Sequence, residues 1–204
     1  RITSGAPTLR LKWLRMTGGN VKGKNGVDGY GGSIFVENVN AILNISHCVF
    51  SNNRATYGGA VLTLFGQPTL FFSHVLFALN TATYHGGAVH LEPATFEGKW
   101  NTFDKNTGRY GGAISVHSGS VFSSTYSTFT NNNAEYLGGA MFVYSDSTKP
   151  YSQLNLTRVL LTENTQTGGA GLPLAPGASI DDGMMDIGIL NRMRRGAILK
   201  AFGL

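Results

Sequence analysis

Short segments that alternate between apolar and polar positions recur along most of the chain. One set follows paired glycines: Ile34-Phe35-Val36, Val61-Leu62-Thr63, Val89-His90-Leu91, Ile114-Ser115-Val116 and Met141-Phe142-Val143. Alternation places residues i and i+2 on one face of a strand. Ile34 and Val36, Val61 and Thr63, Val89 and Leu91, Ile114 and Val116, and Met141 and Val143 are therefore predicted to point inward. Phe35, Leu62, His90, Ser115 and Phe142 are predicted to point outward. A second set comprises Ala41–Ile45, Thr69–Phe72, Ala94–Phe96, Ser120–Phe122 and Gln153–Leu156, and a third ends in Phe-x-x-Asn. The segments are rich in β-branched and aromatic residues and too short for amphipathic helices, so they read as strands.

The pattern is periodic. Gly-Gly followed by a small residue begins at positions 31, 58, 86, 111, 138 and 168, in steps of 27, 28, 25, 27 and 30. In phase with it run Phe50-x-x-Asn53, Phe77-x-x-Asn80, Phe103-x-x-Asn106 and Phe129-x-x-Asn132, with Leu161-x-x-Asn164 as a fifth, altered copy. A tyrosine stands at or just before the glycines, as Tyr30, Tyr57, Tyr84, Tyr110 and Tyr136. Two markers sharing one period are the signature of a solenoid, and the consensus of leucine-rich repeats is missing. The prediction is an all-β chain: a right-handed parallel β-helix with about three strands per coil. Phe50, Phe77, Phe103 and Phe129 would stack as an internal column, beside a ladder of Asn53, Asn80, Asn106 and Asn132 in a turn.

Composition supports this picture. Gly makes up 28 of 204 residues, about twice the ordinary share, and only 13% are charged. The net charge is +5, but Arg192, Arg194, Arg195 and Lys200 cluster near the C-terminus and the body is close to neutral. A nucleic-acid footprint along the body is not expected. The lone Cys48 excludes an intrachain disulfide and reads as a small buried residue. The chain opens on Arg1, which reads as a processed or truncated start, and no apolar run reaches the length of a membrane-spanning helix.

The pairing of Phe-x-x-Asn with Gly-Gly-Ala-(Ile/Val/Met) over residues 9–170 resembles the repeat of the polymorphic outer-membrane protein family. The opening Leu11-Lys12-Trp13-Leu14-Arg15-Met16-Thr17-Gly18-Gly19-Asn20 is similar to the first coils of secreted pectin-lyase-like β-helix proteins. The resemblance implies a surface-exposed passenger used for adhesion, in an extracellular or cell-surface location.

The reading divides the chain into a β-helix over residues 1–171 and a C-terminal unit over 172–204. After the proline-containing stretch from Leu172 to Gly177, residues 181–202 read as an amphipathic helix, opened by Asp181-Asp182 and closed by basic residues. Such a helix would cap the last coil, or dock on a partner or a membrane surface.

Chemistry-bearing clusters are sparse. Polysaccharide lyases and hydrolases need converging carboxylates or a basic residue. The best set is Asp104, Lys105 and Arg109 in one turn, with Glu135 a coil later and His85 a coil earlier; ordinary charge pairing in a solvated turn is the plainer reading. His90 and His117 stand one period apart with Glu92 nearby, too few ligands for a metal site, and read as surface histidines. No cofactor motif is present. Phe35, Leu62, Phe142 and Tyr144 form an outward apolar column, readable as a contact face for a protein partner, a second copy or a glycan, or as a face covered by the chain itself. Asn44 and Asn155 lie in N-glycosylation sequons. Two functions follow: a structural or adhesive surface module that binds or assembles through its lateral face, or a polysaccharide-active enzyme.

Overall fold

The computed structural model describes residues 1–24, 26–37, 39–145, 151–167 and 187–191. The described residues form a parallel β-solenoid of four sheets. The first sheet holds β1 (Thr8–Lys12), β4 (Ile42–Ser46), β8 (Thr69–Ser73), β12 (Thr95–Lys99), β16 (Val121–Thr125) and β20 (Gln153–Thr157). The second holds β2 (Arg15–Thr17), β5 (Val49–Ser51), β9 (Leu76–Ala78), β13 (Thr102–Asp104), β17 (Thr128–Thr130) and β21 (Leu160–Thr162). The third, just after each asparagine, holds β6 (Arg54–Ala55), β10 (Thr81–Ala82), β14 (Thr107–Tyr110), β18 (Asn133–Leu137) and β22 (Thr165–Gln166). The fourth, after the glycine pairs, holds β3 (Ile34–Glu37), β7 (Val61–Leu64), β11 (Val89–Leu91), β15 (Ile114–Val116), β19 (Met141–Ser145) and β23 (Ile187–Asn191).

Four strands per coil replace the expected three. The extra sheet arises because the two or more residues after each asparagine pair with their counterparts one coil away, as in Thr81↔Arg54 and Thr107↔Asn133. The helix expected over 181–202 also needs correction. Ile187–Asn191 run as a strand parallel to β19, from Met141↔Ile187 to Ser145↔Asn191. An open strand edge offers backbone partners all along its length, and the glycines at 183, 188 and 196 disfavour a helix. The rest of that segment, and the proposed boundary at 171/172, lie outside the described residues.

The core follows from the repeat. Phe50, Phe77, Phe103 and Phe129 are fully buried and pair in register through Phe50↔Phe77, Phe77↔Phe103 and Phe103↔Phe129. Their rings stack at 5.0, 4.8 and 4.4 Å between centroids, nearly parallel. These separations are the spacing of neighbouring strands, so one residue type per coil gives a continuous column. Leu161 continues the column opposite Phe129. The inward residues expected of the fourth sheet are all buried.

The asparagine ladder uses every hydrogen-bonding position of the amide. Asn106 Oδ1 accepts from the Asn80 backbone N–H and from Asn80 Nδ2, each at 3.0 Å. Asn106 Nδ2 donates to Asn132 Oδ1 and to the Phe77 carbonyl, also at 3.0 Å. The pattern repeats at Asn53, Asn80 and Asn132 and ends on Asn164. Buried polar groups are thereby satisfied at the point where each coil turns.

The two glycines of each pair do different work. The first takes a positive φ, between 56° and 71° at Gly31, Gly58, Gly86, Gly111 and Gly138. The second makes room: a Cβ on Gly32, Gly59, Gly87 or Gly112 would overlap the carbonyl oxygen of the second glycine one coil on.

Non-glycine residues also occupy the left-handed region, in two columns. One precedes each ladder asparagine: Asn52, Leu79, Lys105, Asn131 and Glu163. Asparagine tolerates this conformation better than leucine. Leu79 is 49% exposed. Leu79→Asn is expected to stabilise the chain by about 0.5–1 kcal/mol, read as a rise in the urea midpoint at constant slope.

Candidate functional site

The outer face of the fourth sheet is not a free surface. Phe35, Leu62, His90, Ser115 and Phe142 stand in register there and are 4% exposed or less. They are covered by rings from the segments before the glycine pairs. Tyr30 packs edge-on against Phe35 at 5.5 Å, His85 lies 5.4 Å from His90, and Tyr110 lies 5.3 Å from Phe142. The expected column of tyrosines has His85 in the place of Tyr84: His85 pairs with Tyr110 as Tyr30 pairs with Tyr57. The sharp turn at each glycine pair folds these rings back over the strands that follow. Of the proposed contact residues, Phe35, Leu62 and Phe142 are thus internal to a second apolar layer. Tyr144, 37% exposed, remains at the surface.

Three histidines meet beneath this layer. Ring centroids of His85, His90 and His117 lie 4.6–5.4 Å apart. His90 is buried rather than on the surface. Its Nε2 is 3.4 Å from Glu92 Oε2, while Ser115 Oγ is 2.6 Å from His117 Nε2. Among the described residues no group of three His, Cys, Asp or Glu side chains could hold a metal ion. Burial, and next the His90 ring, push His85 down to about 3; Glu92 opposes the shift. Burial and the two neighbouring imidazoles push His117 down as well.

An unfolded histidine titrates near pH 6.5, so below that pH the unfolded chain binds protons that the folded chain refuses. The stabilisation is complete above about pH 6.5 and falls as pH drops toward 3, by up to ~1.4 kcal/mol per pH unit for each histidine. Urea midpoints should decline from pH 7 to pH 5, and His117→Gln should flatten the decline. Equal slopes in the two proteins would contradict this.

The charged turn does not converge. Asp104 Oδ1 accepts from Asn131 Nδ2 at 3.2 Å, and Lys105 occupies a left-handed corner. Arg109 is drawn away toward the next coil: its Nη2 donates to Tyr136 Oη at 3.0 Å and its Nε is 3.4 Å from Glu135 Oε2. Arg109 also lies over the Tyr84 and Tyr136 rings. Pairing between adjacent coils thus accounts for Arg109, as the plainer reading expected.

The broadest concavity lies elsewhere, on the outer face of the first sheet. It is a groove of about 730 Å³ lined by Arg10, Lys12, Asn44, Phe71, Glu97 and Lys99, with serines and threonines between them. Phe71 stands in its middle, 39% exposed, in register with Asn44 on one side and Glu97 on the other. The sequon residue Asn44 lines the groove; Asn155 lies farther along the same row, donating to Ser123 Oγ at 3.2 Å.

One rim of the groove is a second column of left-handed residues: Trp13, His47, His74, Trp100, Tyr126 and Arg158. Successive rings lie 4.2, 4.7, 4.9 and 5.8 Å apart, and the Arg158 guanidinium sits over Tyr126 at 5.2 Å. Left-handed backbone costs roughly 1–2 kcal/mol at each non-glycine residue, and ring stacking offsets part of that cost. Trp13, Trp100 and Tyr126 are 70%, 46% and 40% exposed. This column was not recognised from the sequence. Its signal was a constant offset: each member precedes by three positions the residue that enters the phenylalanine column, from Met16 to Leu161.

Residues 47–64 match the family model described as the Chlamydia polymorphic membrane protein repeat. No curated protein sequence and no solved structure matches the chain. The matched segment runs from the His47 corner through Phe50, Asn53 and Gly58-Gly59 to the end of β7, which is most of one coil. That coil is repeated in register above and below it. The chain is a parallel β-solenoid that fits the polymorphic membrane protein repeat family.

Proposed function

We propose that this chain is a cell-surface adhesive module: a right-handed β-helix that presents a lateral face to a partner. The family to which the repeat is fitted is outer-membrane associated, which is consistent with a surface location. Right-handed winding is the sense that parallel crossover connections take. The observation that carries the reading is the outer face of the first sheet, a groove flanked by an exposed aromatic column on a scaffold whose interior is fully committed to stacking. A rigid repeat of this kind suits recognition of an extended partner. The rival reading, a polysaccharide-active enzyme, loses support because Arg109 is bound up with Tyr136 and Glu135.

The test is binding of the purified 204-residue chain, immobilised, to intact cells, to a glycan array and to itself in solution. Saturable binding in one of these supports the reading. A chain inert in all three, yet releasing unsaturated products from a polyuronate, would replace it with the enzymatic reading.

A further inference from the structure

The geometry points to the groove of the first sheet as a site for a linear acidic polysaccharide, a polyuronate chain lying along the solenoid axis. The inference rests on the adhesive reading above and names its ligand.

Three features of the face fit such a ligand. The first is repetition. The outward rows run Arg10, Asn44, Phe71, Glu97, Ser123, Asn155 and Lys12, Ser46, Ser73, Lys99, Thr125, Thr157, one residue per coil. Each coil advances about 4.8 Å, a step close to one monosaccharide. Hydroxyl and amide groups therefore recur in step with sugar hydroxyls. A peptide with varied side chains has no such recurrence, and the interior strands of this sheet offer it no free edge.

The second feature is charge. Arg10, Lys12 and Lys99 face the groove against the single carboxylate of Glu97, and Arg158 ends the rim. Lys12 Nζ lies 5.8 Å from the Trp13 ring and Lys99 Nζ 4.3 Å from the Trp100 ring, which holds both ammonium groups at the rim. Lys12 and Lys99 are three coils apart, roughly 14 Å. That density of cations suits one carboxylate per sugar better than a heavily sulfated chain. The third feature is Phe71, whose exposed ring in the middle of the face offers an apolar platform for the C–H face of a pyranose.

The experiment is titration of the 204-residue chain with polygalacturonate, with heparin and with a neutral glucan, at low and at raised salt. Binding to polygalacturonate that weakens with salt, and no binding to the neutral glucan, is expected. Lys12→Gln/Lys99→Gln should weaken it about tenfold, and Phe71→Ser, which leaves both cations in place, should weaken it independently. Lys105→Gln, on an exposed corner outside the groove, should leave it unchanged. Circular dichroism verifies folding of each variant. Polygalacturonate binding that neither groove substitution alters overturns the site. So does preference for heparin, or concentration-dependent self-association lost in Phe71→Ser, which would make the face an interface between copies. If the chain adheres to cells and the groove variants adhere equally, this site fails while the adhesive reading stands. If the chain adheres to nothing, the adhesive reading itself fails.

Discussion

Alanine at Gly112 is expected to cost more than about 4 kcal/mol and to prevent cooperative folding of the solenoid. The reason is the space between coils, not the backbone angle, because Gly112 is not among the positive-φ residues. Its Cβ would overlap the Gly139 carbonyl oxygen and would lie 2.7 Å from the Asn133 nitrogen and 2.8 Å from the Asn133 carbonyl carbon. All three are backbone atoms, so no side chain can swing aside. The coils cannot separate either, because the Gly112 N–H donates to the Gly138 carbonyl at 3.0 Å and the flanking strands fix the spacing. Gly23→Ala is the control. Gly23 has φ +79° with nothing within 4 Å of its Cβ position, so only the backbone penalty of about 1–2 kcal/mol applies. Urea unfolding followed by circular dichroism measures both. Equal, small losses would show that the second glycine of the pair is not a packing requirement.

Asn106→Ala is expected to destabilise the chain by about 3–5 kcal/mol. The substitution removes the acceptor of two buried donors, the Asn80 backbone N–H and one Asn80 Nδ2 hydrogen. It also removes the donor to the Phe77 carbonyl. Each orphaned buried group costs about 1–3 kcal/mol because no water can replace its partner. Asn106→Asp separates the two roles: the carboxylate can still accept from Asn80 but cannot donate to Asn132 Oδ1 or to Phe77. It is expected to be destabilising at neutral pH and to recover partly in acid, where a protonated carboxyl can donate once. Asn131→Ala, one position from the ladder with its side chain in the exposed turn, should cost about 1 kcal/mol. A loss at Asn106 no larger than at Asn131 would mean that the ladder is not a source of stability.

The solenoid was legible because its stabilising contacts join like to like. A residue that stacks on its own copy one coil away must recur in the sequence at the length of the coil. Phe50, Phe77, Phe103 and Phe129, the four ladder asparagines and the glycine pairs all do so. Alternation then separated core from surface correctly on one side, since Ile34, Val61, Val89, Ile114 and Met141 are all buried.

Alternation failed on the other side of the same strands. Phe35, Leu62, His90 and Phe142 do point away from the core, yet they are buried under rings carried by the preceding turns. Nothing in a two-residue period states which way a turn folds back. His85, not Tyr84, enters the ring column because residues on both sides of it are held by neighbouring coils.

The composition and spacing of the chain by themselves determined the parallel stack, its period and the occupants of its interior. The tertiary structure alone decided the fourth sheet, the cover over the glycine-pair strands, the gathering of three histidines, and the groove with its aromatic rim. The physical reason is that stacking along the axis repeats one contact at a fixed interval, which leaves a periodic trace in the sequence. The outer surface depends on contacts between different residue types, set by the direction of each turn, and those leave no such trace.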